Sequence, residues 1–133
     1  MGFVLDASVS ACWAFDDEQH TIADAALDLS GIEEIFVPSL WWFEIRNLLI
    51  VAERRKRLAV ATTNVFLRSM QRLNLSIDRA PEEAEVLRLA RRHGLTVYDS
   101  GYLELAMRER LPLATLDRKL AAAAENEGVN LIG

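Results

Sequence analysis

Apolar residues fall into two rhythms along this chain. Short continuous runs such as Phe3-Val4-Leu5 and Ile35-Phe36-Val37 read as strands, whereas longer segments with apolar positions three and four apart read as helices. The pattern predicts strands over 2–6, 34–37, 75–78, 95–98, 112–115 and 129–132. It predicts helices over 7–15, 19–30, 39–56, 60–73, 81–93, 99–110 and 117–127. The punctuation agrees. Pro38-Ser39 parts a strand from a helix, Pro81-Glu82-Glu83 suits a first helical turn after Ala80, and Gly94 and Gly128 stand where helices stop. Strands alternating with helices require crossovers, so the fold class is α/β, with helices on both faces of a central, mainly parallel sheet. No repeat, low-complexity tract or linker divides the 133 residues. One domain, 1–133, is expected, burying about two-thirds of its unfolded surface.

Three acids stand where a predicted strand gives way to a helix: Asp6 after Phe3-Val4-Leu5, Asp99 after Thr96-Val97-Tyr98, and Asp117 after Leu113-Ala114-Thr115-Leu116. That edge of an open parallel sheet, outside the carboxyl ends of the strands, is where ligands bind. Each acid alone has an ordinary explanation, because Asp is among the preferred helix N-caps. Glu44 does not. It lies inside a helix, on one stripe with Asn47, Leu48 and Val51, where an ionised carboxylate is costly unless it meets an arginine or a metal. Four carboxylates gathered at one edge repel each other and call for a cation. Oxygen ligands select a hard ion, Mg²⁺ or Mn²⁺ ahead of zinc, and such ions assist in-line displacement at a phosphodiester. Ser8 lies two residues after Asp6 and can share its pocket. Thr115 lies two before Asp117 and, in extended backbone, points the same way. Tyr102, one turn beyond Asp99, reads as a core aromatic packed beneath the acid.

Composition narrows the alternatives. A net charge of -5 argues against broad, nonspecific nucleic-acid binding, and the compact run Arg54-Arg55-Lys56-Arg57 reads first as a solvated helix C-terminus. The lone Cys12 excludes an intramolecular disulfide and a thiolate cluster, and reads as a small core residue. His20 and His93, near helix ends, read as exposed, and no Ser-His-Asp, Cys-His, P-loop or dinucleotide pattern competes with the acids. No apolar run approaches the roughly 20 residues of a membrane span, and no signal peptide is visible, so a cytoplasmic location without membrane attachment is expected. Trp41 and Trp42 point about 100° apart on a helix, so both do not face one core direction, and one is a candidate for a partner groove.

The ordered segments Val4-Leu5-Asp6-Ala7-Ser8-Val9, Glu44-Ile45-Arg46-Asn47-Leu48-Leu49, Leu95-Thr96-Val97-Tyr98-Asp99, Tyr102-Leu103-Glu104-Leu105-Ala106 and Ala114-Thr115-Leu116-Asp117-Arg118-Lys119-Leu120 are similar to those of the PIN-domain ribonucleases. Within that family the chain resembles the VapC toxins of toxin–antitoxin pairs, over its whole length. One departure is Ser100-Gly101, where the family usually has small residues favouring helix. The resemblance implies a three-layer α/β/α PIN-like fold and a Mg²⁺- or Mn²⁺-dependent endoribonuclease. It implies an acidic site of Asp6, Glu44, Asp99 and Asp117, with Asp6 and Asp99 as direct metal ligands. Glu44 and Asp117 complete the coordination or orient the attacking water, and Ser8, Asn47 and Thr115 support them by hydrogen bonding. It further implies an RNA substrate, a homodimer and a cognate VapB-type antitoxin.

Two other classes remain. One is a catalytically inactive RNA- or protein-binding module whose acids mostly cap helices. The other is a different acidic-pocket protein, a phosphotransfer receiver or aspartate-nucleophile phosphatase. Against the latter, Asp6 has Ser8 rather than a second Asp two residues on, and the only lysines are Lys56 and Lys119, neither following a strand near the pocket.

Overall fold

A computed structural model describes residues 1–133. Its centre is a parallel sheet of β1 (Gly2–Leu5), β2 (Glu34–Pro38), β3 (Leu75–Asp78) and β4 (Leu113–Ala114), in the order β3-β2-β1-β4. All four residues of β1 are buried, as an apolar strand covered on both faces requires. A Cβ at Gly2 would lie 2.6 Å from the Glu34 carbonyl, so glycine permits the close approach of β1 to β2. The chain moves outward from β1 to β2 and β3, then returns to place β4 on the other side of β1. The strand order therefore reverses between β1 and β4, the point where a crevice opens at the carboxyl edge.

Seven helices cover the sheet: α1 (Ala7–Cys12), α2 (Thr21–Ser30), α3 (Leu40–Arg54), α4 (Val60–Met70), α5 (Glu83–His93), α6 (Val97–Glu109) and α7 (Arg118–Asn126). Helix α6 packs across β2, β1 and β4 and is flanked by α5 and α7, while α1 packs on α2 and α3, which reach β4 and β2. The result is a three-layer α/β/α fold around a single cluster of 27 buried apolar residues. Arg108 ties α6 to the end of β3: it meets Glu104, only 1% exposed, at 2.7 Å and Asp78 at 2.8 Å.

The predicted strand over 95–98 is not formed. Gly94 takes a left-handed conformation (φ +63°) that ends α5, and Thr96 then caps α6 by accepting the Asp99 N–H at 3.0 Å. The helix thus begins at Val97, and the short apolar run is overruled by a strong capping signal. Val97 and Tyr98 are exposed. The predicted strand over 129–132 is reduced to one bridge, Leu131 with Leu113, because β4 itself is only two residues long. Helix α1 ends at Cys12 rather than near 15, and α5 begins at Glu83, two residues beyond Pro81. His20 is exposed and caps α2, as a helix-start residue should. His93 is not exposed: its side chain is 9% exposed and its Nε2 lies 2.7 Å from Glu127 Oε2, which joins the ends of α5 and α7. Cys12 is half-buried against the core. No helix is long and apolar enough to cross a membrane.

Candidate active site

Asp6 follows β1 directly, and its N–H donates to the Ala114 carbonyl of β4 at 3.0 Å, which sets it at the point where strand order reverses. Its side chain is buried, and one oxygen, Oδ2, accepts both the Ser8 hydroxyl (2.9 Å) and the Thr115 hydroxyl (2.6 Å). Those hydroxyls are held in turn, since the Leu116 N–H donates to Ser8 Oγ and the Asp117 N–H to Thr115 Oγ1, both at 3.1 Å. Although Asp6 is the N-cap residue of α1, its side chain makes no well-formed cap bond; the Ser8 N–H only approaches the carboxylate, and the two hydroxyls are its main partners. Capping is therefore at most a minor part of what Asp6 does.

Capping is well formed at Asp117. There Oδ1 accepts the N–H groups of Lys119 (2.9 Å) and Leu120 (3.1 Å) at the start of α7, leaving Oδ2 without a bond from the chain. Asp99, half-buried in the first turn of α6, is not a cap, because Thr96 fills that position. It extends from a helix rather than from a strand end, correcting the expectation from the apolar run.

Glu44 reaches the same edge from α3. The buried face of this helix is Trp41, Ile45, Leu49 and Ala52, so Glu44 stands half-buried at its margin, while Asn47 and Leu48 are exposed. Asn47 makes no hydrogen bond to the acids. No arginine pairs with Glu44; its Oε1 accepts the Tyr102 hydroxyl at 2.6 Å. Arg46, two residues on, instead stacks over the exposed Trp42 ring at 3.8 Å, whereas Trp41 is buried and donates from Nε1 to Ser10 Oγ. Sequence reasoning placed Tyr102 beneath Asp99 as core but missed its bond to Glu44. The available signal was its position one turn from Asp99, which aligns it with the acidic edge.

Asp6, Glu44 and Asp99 are each perturbed by burial and by neighbouring carboxylates. Burial pushes the Asp6 carboxyl above its ordinary range, the Thr115 and Ser8 hydroxyls and the Ser8 N–H oppose this, and the charge of Asp117 adds to it. Burial also raises Glu44, opposed by the Tyr102 hydroxyl and assisted by the charges of Asp6 and Asp99. Asp99 is raised by burial and by Asp117 and Asp6, with Thr96 and Lys119 acting against the rise. Repulsion thus links Asp6 and Asp99 to every other acid of the set, and positive charge placed among them would relieve it. As the side chains stand, no three acids close on one point. The donor set nonetheless suits Mg²⁺ or Mn²⁺, which take one or two protein carboxylates and otherwise water and phosphate oxygens. Asp6 Oδ1, Glu44 Oε2, Asp117 Oδ2 and both carboxylate oxygens of Asp99 accept none of the bonds above.

Residues 3–126 match the family model of the PIN domain. Ribonuclease VapC3 of Pyrobaculum aerophilum is 33% identical over 125 residues, covering 91% of this chain and 93% of that relative. Among solved structures, PAE2754 from Pyrobaculum aerophilum is similar with a TM-score of 0.74 at 26% identity, over 99% of this chain and 84% of that one. FitAcB from Neisseria gonorrhoeae is similar in fold, with a TM-score of 0.68 at 18% identity, over 98% of this chain and 96% of that one.

Proposed function

The chain belongs to the PIN-domain family, and from that membership we propose that it is a Mg²⁺- or Mn²⁺-dependent endoribonuclease, the toxin of a VapBC-type toxin–antitoxin pair. The observation that carries the proposal is the placement of Asp6, Glu44, Asp99 and Asp117 at one edge of the sheet, by the reversal point of its strand order, with Asp6 buried and tied to Ser8 and Thr115 and Glu44 tied to Tyr102 rather than to a cation. Helix capping accounts for Asp117 alone among them.

In this reading Asp6 and Asp99 hold the ion directly, while Glu44 and Asp117 complete the coordination or orient the attacking water. Ser8 and Thr115 keep Asp6 fixed through Oδ2, so that its other oxygen meets the ion without reorganisation. Asn47 stays outside this net. The bound ion supplies Lewis acidity toward phosphate oxygens and eases deprotonation of water. Without it the acids repel an RNA phosphodiester; with it, the same acids anchor the charge that attracts one. The likeness to VapC ribonucleases supports RNA as substrate, a homodimer as the assembly and a cognate VapB-type antitoxin as partner.

Purified protein incubated with a broad RNA panel should cleave in Mg²⁺ or Mn²⁺ and stop when the ion is chelated. Asp99→Asn should abolish cleavage while its melting transition persists. Cleavage that survives both chelation and Asp99→Asn would rule this site out. A second reading, a catalytically inactive RNA- or protein-binding module, draws on the capping role of Asp117. Calorimetry with Mn²⁺ separates the two: heat that disappears in Asp99→Asn supports the enzyme, and a flat trace from the wild type supports the binding module.

A further inference from the structure

Tyr102 has a property that core packing does not require. It is fully buried, so phenylalanine would fill nearly the same volume, yet its hydroxyl reaches across from α6 to α3 and donates to Glu44 Oε1 at 2.6 Å. The two helices are close here: a Cβ at Gly101 would stand 3.4 Å from Leu40 Cδ2, one helical turn from the Glu44–Tyr102 bond. A phenol is protonated at neutral pH and a carboxylate only accepts, so the hydroxyl is the donor in this bond.

We propose that Tyr102 is a positioning residue for the divalent ion: by occupying Oε1 of Glu44 it fixes that carboxylate so that Oε2 alone serves as ligand. The proposal rests on the metal-dependent reading above. Two further acids show the same division. In Asp6, Oδ2 is committed to Ser8 and Thr115; in Asp117, Oδ1 is committed to the first amides of α7. Each of the three carboxylates has one oxygen tied into the fold and the other left untied. For Asp6 the ties come from the short side chains of Ser8 and Thr115, themselves held by backbone N–H groups, and for Asp117 they come from backbone amides directly. Glu44 has a longer, freer side chain, and a donor from another helix supplies what its own helix does not.

The chain has two tyrosines, exposed Tyr98 and buried Tyr102, so labelling tyrosine with carbon-13 at Cζ gives two resolvable environments. Mg²⁺ added to the wild type should move the Tyr102 signal, and Glu44→Gln should remove that response. By calorimetry, Tyr102→Phe should weaken Mn²⁺ binding by roughly tenfold or more, the usual consequence of losing a bond that supports a metal ligand. In a Glu44→Gln background the same change should weaken binding no further, because the tyrosine acts through Glu44. Melting curves accompany each variant, and if Tyr102→Phe does not fold, the wild-type signal decides alone. The proposal is overturned if the wild type saturates with metal while the Tyr102 signal stays fixed, or if folded Tyr102→Phe binds Mn²⁺ as tightly as wild type. A wild type that binds no Mn²⁺ overturns the enzyme reading as well, and its flat trace distinguishes that failure from failure of the positioning role alone.

Discussion

Thr115→Val isolates the net that holds Asp6. Thr115 is 4% exposed, and valine preserves its branched shape, so the perturbation is the loss of one hydroxyl. That hydroxyl donates to Asp6 Oδ2 at 2.6 Å and accepts the Asp117 N–H at 3.1 Å. A hydrogen bond to a charged group contributes about 1.5–3 kcal/mol, and an orphaned buried N–H costs about 1–3 kcal/mol. Ser8 still holds Asp6 and the Asp117 amide is only partly buried, so the lower ends apply, about 2–3 kcal/mol together. In a domain of this size each kcal/mol lowers the melting temperature by roughly 3–5 °C, giving a drop of about 6–15 °C. The loss has a pH signature. The hydroxyl favours the ionised form of Asp6, whose carboxyl burial has already raised, so the variant raises it further. Where Asp6 is protonated in both proteins the charge-assisted part of the difference is absent, and it develops as pH rises through the folded-state values. Calorimetric melts in chelator, as a series from mildly acidic to mildly alkaline pH, measure this directly. Equal melting temperatures at neutral pH, or a difference that does not widen with pH, would refute the reasoning.

The acids should destabilise the protein when no cation is present. The Asp99 carboxyl is raised by burial and by Asp117 and Asp6, so its contribution to stability is present in acid and is lost as pH rises through its folded value. At neutral pH in chelator, Asp99→Asn should therefore melt above wild type, and saturating Mg²⁺ should reverse the order; a lower melting point for the variant in chelator contradicts the mutual repulsion. Away from the site, Arg108→Leu leaves Glu104 buried without its cation and should cost about 3–5 kcal/mol, read as a fall in the urea midpoint. The double change Arg108→Leu with Glu104→Leu should recover most of that loss, and failure to recover would show that the ion pair is not what Arg108 contributes.

Much of the architecture was legible because its causes are local. Continuous apolar runs marked β1 and β2, the Gly94 and Gly128 stops marked the ends of α5 and α7, and the alternation of the two rhythms implied parallel strands. The run Thr96-Val97-Tyr98 misled for an equally local reason: its three residues suit a strand, but Thr96 also suits a helix cap, and the bond to the Asp99 N–H decided between them. The stripe drawn through Glu44, Asn47 and Leu48 failed because helical spacing says which residues share a face, not how far the core extends around it. The observed margin leaves Glu44 half-buried and the other two exposed.

The chain by itself determined the α/β class and the order of β1 to β4 among the helices, and it singled out four acids as candidates, since each depends on neighbours within a turn or a strand. It did not determine what each acid touches. Asp6 is held by Thr115 from 109 residues away and Glu44 by Tyr102 from 58 residues away, and neither partner follows from periodicity. Only the tertiary structure decided that Asp117 caps a helix while Asp6 and Asp99 do not, and that Glu44 meets a phenol rather than an arginine. Burial removes water as a partner, and which group replaces it is set by the long-range packing that brings strands and helices together.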